Sequence, residues 1–259
     1  MNIVVCVKQV PDTEVERSLN PGDGTLSRGS ADGVINVLDE YAIEEGLKIK
    51  EAHGGEVTIL TMGPAKASDS IRKALSMGAD KAVHLVDAAL AGSDALGTSL
   101  ALAAVLTLIG FDLVILGSES TDARTGMVPA MLAERLGVPQ LTLASKVDIS
   151  GDEVTIRRAS DDGYAVVTAS LPAVVSVMEK INEPRYPTFK GIIGAKKKPV
   201  QTLTLADIPV DAGEVGLANA ATWVRDFAGS PARAAGVIVK DGGDGGAKLA
   251  GFLAERKFI

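Results

Sequence analysis

The sequence predicts an α/β fold: a mostly parallel, doubly wound sheet with an antiparallel extension and a C-terminal arm. Three observations carry this. Up to about Gln140, short Val/Ile-rich runs alternate with longer helix-like segments, the pattern of parallel strands joined by crossover helices. After Gln140 the runs become short and β-rich, with Gly/Asp turns between them, which reads as hairpins. From Asn182 onward Pro184, Pro187, Pro199, Pro209 and the DGGDGG stretch at 241–246 interrupt any regular pattern.

Each element has its own signal. Residues 3–10 are a continuous apolar run rich in Val, expected of one strand buried on both faces. Residues 38–52 read as a helix with Leu38, Tyr41, Ala42, Ile43, Leu47 and Ile49 as its apolar positions, stopped by Gly54-Gly55. Residues 57–62 form the next strand, closed by Gly63-Pro64, and 67–76 the next helix, stopped at Gly78. Residues 81–86 are a third strand, and 93–108 a second apolar helix with Ser93 as its expected cap. A fourth strand covers 113–116, and a helix covers 125–136 before Gly137-Val138-Pro139. The runs 146–150, 154–159, 164–169 and 173–178 are the β-rich set, with Gly151-Asp152 and Asp161-Asp162-Gly163 as turns. The stretch after Asn182 reads either as a disordered extension or as an arm ordered against a partner. Trp223, Phe227, Phe252 and Phe258 favour the arm, since a solvated tail has few aromatics.

Composition narrows the function. The chain has 259 residues, 26 basic and 33 acidic, a net charge of −7, 46% hydrophobic residues and 3% aromatics. Its pI of about 5.0 and mean hydropathy of +0.23 disfavour disorder and wholesale nucleic-acid binding. The single cysteine, Cys6, excludes a disulfide framework and a multi-cysteine zinc site. The two histidines, His53 and His84, leave little material for imidazole catalysis. His84 reads as a satisfied sheet residue, and His53 suits the helix dipole at its C-terminus. Asp39-Glu40 and Glu44-Glu45 read as a solvated helix face. No basic region precedes the first strand, and the apolar stretch 95–110 is shorter than the ~18 residues of a membrane span. A cytoplasmic protein without membrane insertion is therefore expected.

Chemistry is expected at the carboxyl ends of the strands. Three loops fall there: Lys8 to Asp12, Gly63-Pro64-Ala65, and GSESTDARTG at 117–126. In the last, glycines permit close backbone approach, and Ser118, Ser120, Thr121, Thr125 and Arg124 supply donors. The loop is expected to open the 125–136 helix, whose N-terminus would favour a phosphate. The dinucleotide fingerprint, the P-loop and the nucleophile elbow are all missing. Cys6 lies inside the first strand without a CxxC neighbour, so it reads as a small buried side chain. The picture is a nucleotide pocket with no catalytic constellation.

The segments together resemble the β subunit of electron transfer flavoprotein, the FixA-like family. The resemblance rests on VCVKQVPD at 5–12, DGVIN at 32–36, DEYAIEE at 39–45, MGPA at 62–65, IRKALSMGAD at 71–80, DLVILG at 112–117 and LPAVV at 171–175. NEPRYPTFKGIIGAKKK at 182–198 is the most specific run. The resemblance implies an adenine-nucleotide-binding α/β domain over 1–181, with the antiparallel section at about 145–181. It implies a partner-recognition loop at 182–199 and an arm at 200–259 packing on the α subunit. It further implies a heterodimer with an α subunit that holds most of the FAD, and a structural AMP in this subunit. Electrons would come from flavin-dependent dehydrogenases and leave to a membrane quinone oxidoreductase. The implied AMP site comprises Cys6, Asn36, Val37, Leu38, Asp39 and Met62, with Gly117, Ser118, Glu119, Ser120, Thr121, Asp122, Ala123, Arg124 and Thr125. Implied docking residues are Tyr186, Thr188, Phe189 and Ile192, with Phe189 where the family commonly has Leu.

Two departures from the family pattern stand out. The loop from Asp122 to Thr125-Gly126 is shorter than usual. Ala165 occupies a position that is usually Glu or Gln, so the resemblance implies that an interdomain polar contact of the family is either lost here or replaced by Asp161 or Asp162. The reading is a carrier subunit, not an enzyme. Its rivals are a bifurcating homologue with a second FAD reduced by NADH, and a universal-stress-like nucleotide-binding signalling module.

Overall fold

The computed structural model describes residues 1–30, 32–229, 231–232 and 236–259. Ala31 of the expected nucleotide-binding domain, and Ser230 and residues 233–235 of the expected arm, lie outside it. In chain order the elements are β1 (Asn2–Cys6), β2 (Gln9–Pro11), β3 (Gly33–Ile35), α1 (Val37–His53), β4 (Glu56–Met62), α2 (Ser68–Met77), β5 (Lys81–Leu85), α3 (Ala95–Ile109) and β6 (Leu113–Gly117). They continue as α4 (Val128–Leu136), β7 (Gln140–Ser150), β8 (Glu153–Ser160), β9 (Gly163–Ser170), β10 (Ala173–Val177), α5 (Phe189–Ala195), β11 (Val200–Leu203) and α6 (Gly245–Glu255).

The main sheet runs β11-β5-β4-β1-β6-β10-β7-β8-β9. From β11 to β7 every neighbouring pair is parallel, and β8 and β9 are antiparallel. The sequence expectation of a mostly parallel, doubly wound sheet with an antiparallel extension holds. Within the β-rich set, however, β10 lies parallel between β6 and β7, because its run AVVSV is buried throughout and needs cover on both faces.

Two apolar layers sandwich the sheet. Ile3, Val5 and Ile59 meet Ile43 and Leu47 of α1 and Ile71 and Leu75 of α2. Val4, Leu60 and Val114 meet Leu102, Val105 and Leu106 of α3 and Leu132 of α4. Alternate residues of one strand serve opposite layers, and each such fully buried aliphatic is worth ~1.5–3 kcal/mol over exposure. The chain leaves β1 for β4 and β5 on one side, then returns through α3 to β6 on the other. The crevice over β1 and β6 is therefore the switch point where open α/β sheets bind ligands.

Several boundaries differ from expectation for local reasons. The 3–10 run divides into β1 and β2, since Lys8 N turns away to donate to Asp39 Oδ2 at 2.8 Å; β2 then pairs with β3 in a small antiparallel sheet. Asp94, not Ser93, caps α3: its Oδ1 accepts from Leu96 N and Gly97 N, both at 3.0 Å. Ser93 Oγ instead donates to Leu90 O at 2.7 Å. Helix α4 starts at Val128 rather than 125. Arg124 and Gly126 have φ of 51° and 62°, a conformation that cannot continue into a right-handed helix.

The chain forms two compact units, Met1–Arg225 and Asp226–Ile259. The arm expected from residue 200 is thus divided. β11 pairs with β5 at the sheet edge, and Leu203, Leu205, Ile208, Val210 and Val215 are buried in the second layer. Their spacing follows short 3-10 turns, not a helix or strand, so periodicity did not reveal them. In the second unit, α6 leaves Leu249 and Phe252 exposed, with Phe258 and Ile259 exposed beyond it.

Candidate functional site

Asn36, just ahead of α1, organises the crevice. Its backbone N donates to Lys8 O at 2.9 Å. Its Nδ2 donates to Asp39 Oδ1 at 2.9 Å and to Glu119 O at 3.0 Å, and its Oδ1 accepts from Thr121 N at 3.0 Å. One buried carboxamide thereby joins the start of α1 to the loop after β6. Beneath it, burial pushes the Asp39 carboxyl up to about 7 despite donors from Lys8 N, Asn36 and Gly117 N.

Cations gather on the same loop. Lys8 Nζ donates to Asp122 Oδ1 at 2.7 Å and to Ser120 Oγ at 3.2 Å. Arg28 donates to Asp122 Oδ2 at 2.8 Å, and Arg17 to Thr121 O at 2.5 Å. Burial raises the Asp122 carboxyl, but Lys8, Arg28 and Ser120 outweigh it and hold it at about 2. Within this ring Thr121 Oγ1 is buried without a hydrogen-bond partner among the described residues. A buried hydroxyl normally has one. Basic side chains, an idle hydroxyl and the N-terminus of α1 suit an anionic, hydrogen-bonding ligand of the nucleotide class.

The structure brings together Asn36, Asp39, Gly117, Ser118, Glu119, Ser120, Thr121 and Asp122 of the expected site. Cys6 ends β1 but its side chain belongs to the apolar layer, and burial pushes its thiol far up. Leu38 and Met62 are half-buried, while Val37, Ala123, Arg124 and Thr125 are exposed. The loop does not open α4, so the helix terminus at the crevice is that of α1. Lys8 stood in one of the sequence loops; Arg17 and Arg28 carried no signal, since they reach the cradle across 104 and 94 residues.

Two sequence readings are corrected. Asp39, Glu44 and Glu45 are buried, not a solvated face: Gly117 N covers Asp39, and Arg185 and Asn182 cover the glutamates. His84 is buried on β5, but its Nε2 has no partner among the described residues. Burial lowers its pKa against hydrogen bonds to the Gly63 and Pro64 backbone.

The segment after β10 presents a second surface. Tyr186 and Phe189 are 92% and 80% exposed, with Ile192 and Ile193 beside them. Thr188 works mainly as the cap of α5, its Oγ1 accepting from Gly191 N at 3.0 Å. Among the described residues no cluster of His, Cys, Asp and Glu could hold a metal, and no helix is long and apolar enough to cross a membrane.

Fold and crevice define a doubly wound α/β protein with an anion cradle at its switch point and a separate exposed aromatic surface on the segment packed against α1 and α2. Residues 23–208 match the family model for the electron transfer flavoprotein domain, and the chain belongs to that family. It is similar to the electron transfer flavoprotein β subunit of Mycobacterium tuberculosis strain H37Rv, with 53% identity covering 100% of this chain and 99% of the relative. The β subunit of Clostridium acetobutylicum is 40% identical, with 92% of each chain covered. Protein FixA of Azorhizobium caulinodans is 39% identical, covering 90% of this chain and 86% of the relative. The chain is accordingly an electron-carrier subunit of a flavoprotein rather than an enzyme.

Proposed function

We propose that the chain pairs with an electron transfer flavoprotein α subunit in the cytoplasm. The pair would take electrons from flavin-dependent dehydrogenases of the acyl-CoA type and deliver them to a membrane quinone oxidoreductase. The FAD, held mainly by the α subunit, supplies the redox chemistry. This subunit holds a structural AMP and offers the docking surface.

The observation that carries the AMP reading is the idle, buried Thr121 Oγ1 inside the ring of Asn36, Lys8, Ser120 and Arg17. Asn36, Ser118, Ser120 and Thr121 would hold the nucleotide by hydrogen bonds, with the α1 N-terminus facing its phosphate. Burial raises the Asp39 pKa and so weakens its negative charge, and Lys8 and Arg28 pair with Asp122, which lowers the repulsion an anion would meet in the cradle. Tyr186, Phe189 and Ile192 support the docking reading, since exposed aromatics at such density are typical of interface anchors. The exposed apolar side chains of Asp226–Ile259 support an arm that covers them on the α subunit.

The test is the cofactor content of the co-expressed pair. Denaturation should release about one AMP and one FAD per heterodimer. Two FAD and no AMP would overturn the AMP reading in favour of a bifurcating carrier.

A further inference from the structure

Residues 182–198 carry the exposed apolar surface, yet their backbone is pinned at both ends. At the first end, Arg185 is saturated by carboxylates of α1. Its backbone N and Nε donate to Glu44 Oε2 at 3.1 and 2.7 Å, and Nη2 to Glu44 Oε1 at 2.9 Å. Nη1 and Nη2 reach Glu51 at 2.5 and 3.2 Å. Glu44 is buried and depends on this partner. Asn182 Nδ2 adds bonds to Tyr41 O at 3.0 Å and Glu45 Oε2 at 2.9 Å.

At the second end, α5 lies directly on α2. A β-carbon on Gly191 would stand 2.5 Å from Ser76 O. Lys198 Nζ donates to Leu75 O in the last turn of α2 at 2.8 Å and to Ala79 O just beyond the helix at 2.5 Å. Between these anchors Tyr186, Phe189, Ile192 and Ile193 remain exposed. Their exposure therefore belongs to a fixed platform rather than to a loose loop.

We propose that Arg185 is the positioning residue of this platform: its forked grip on Glu44 and Glu51 holds the docking side chains in place before a redox partner arrives. The inference rests on the docking reading above. A surface already ordered avoids the entropy of ordering side chains and loop on association. A planar guanidinium meets both carboxylates with paired N–H donors, a geometry that a lysine ammonium does not reproduce. Arg185 itself does not need to touch the partner.

The experiment uses the intact α/β complex, with an acyl-CoA dehydrogenase and its acyl-CoA as electron source. Arg185→Ala should raise the KM for the carrier about tenfold, with kcat and the flavin and nucleotide contents unchanged, because grip on the partner and not electron transfer is lost. Amide hydrogen exchange over 186–195 should speed up in step. Arg185→Lys should rescue only part of the effect. Glu51→Gln, which touches only the exposed half of the grip, should move KM and exchange the same way by less and keeps the question open to test if Arg185→Ala fails to assemble. Phe189→Ala is the control for docking itself. If it raises KM while the Arg185 and Glu51 variants leave KM and exchange unchanged, the positioning role is refuted and docking survives. If Phe189→Ala leaves KM unchanged, docking falls and the proposal falls with it. Flavin loss parallel to the KM change would make Arg185 merely structural and also overturn the proposal.

Discussion

A β-carbon added to Gly117 would stand 2.7 Å from Asp39 Oδ1 and 2.9 Å from the Leu38 carbonyl carbon. The end of β6 and the first turn of α1 thus touch backbone to backbone, and the cradle is built on that contact. Gly117→Ala should force the two apart, costing about 1–3 kcal/mol of stability in urea unfolding. It should also reduce the AMP that co-purifies. Wild-type stability in the variant would show that the approach is not needed.

Asp39 gives a pH signature. Its folded pKa of about 7 lies above the 3.8 of an ordinary aspartate. Between those values the folded chain keeps a proton that the unfolded chain has released, so this group's contribution to stability falls as pH rises from about 4 to about 7 and is constant above. At full effect the slope is about 1.4 kcal/mol per pH unit. Asp39→Asn should remove that slope from a series of denaturant titrations. An identical slope in the variant would assign it to another group.

His84 has the opposite sign. Its folded pKa is lowered from 6.5 by burial, so the unfolded chain takes up a proton that the folded chain refuses. Stability is full above about 6.5 and falls as pH drops towards the lowered folded value. His84→Phe deletes the titration and the unpartnered Nε2 together and should flatten the acid side of the stability curve. A variant as acid-sensitive as the parent would contradict this account.

Asp122 ties the loop to Lys8 and Arg28, and its own side chain is fully buried while theirs are 38% and 49% exposed. Partial exposure of the cations weakens the pair through solvent screening, but removing the carboxylate leaves their charges facing a buried amide. Asp122→Asn should cost about 1–3 kcal/mol. Because the carboxyl is held at about 2, that loss should be constant above pH ~4 and shrink as acid protonates the parent. In a double-mutant cycle with Lys8→Met, additive losses would show that the two are not coupled.

The sequence by itself determined the parallel strands β1, β4, β5 and β6, the helices α1 to α3 and the loops at the carboxyl ends of those strands. Hydrophobic periodicity and glycine stops are local properties, and β1, β4, β6 and α1 to α3 each satisfy them within a dozen or so residues. Its motifs also carried the family resemblance, which pointed to residues from Asn36 to Asp122, and the fold brings these together at the end of β6 and the start of α1. What it left undecided depends on partners far along the chain. Glu44 and Glu45 look solvated until Arg185 and Asn182 arrive from 141 and 137 residues away. Arg17 and Arg28 are ordinary loop cations until the fold sets them on Thr121 and Asp122. Residues 200–215 look like a loose tail until β5 offers an open edge for β11. Burial and charge pairing are sums over neighbours in space, so only the tertiary structure could decide them.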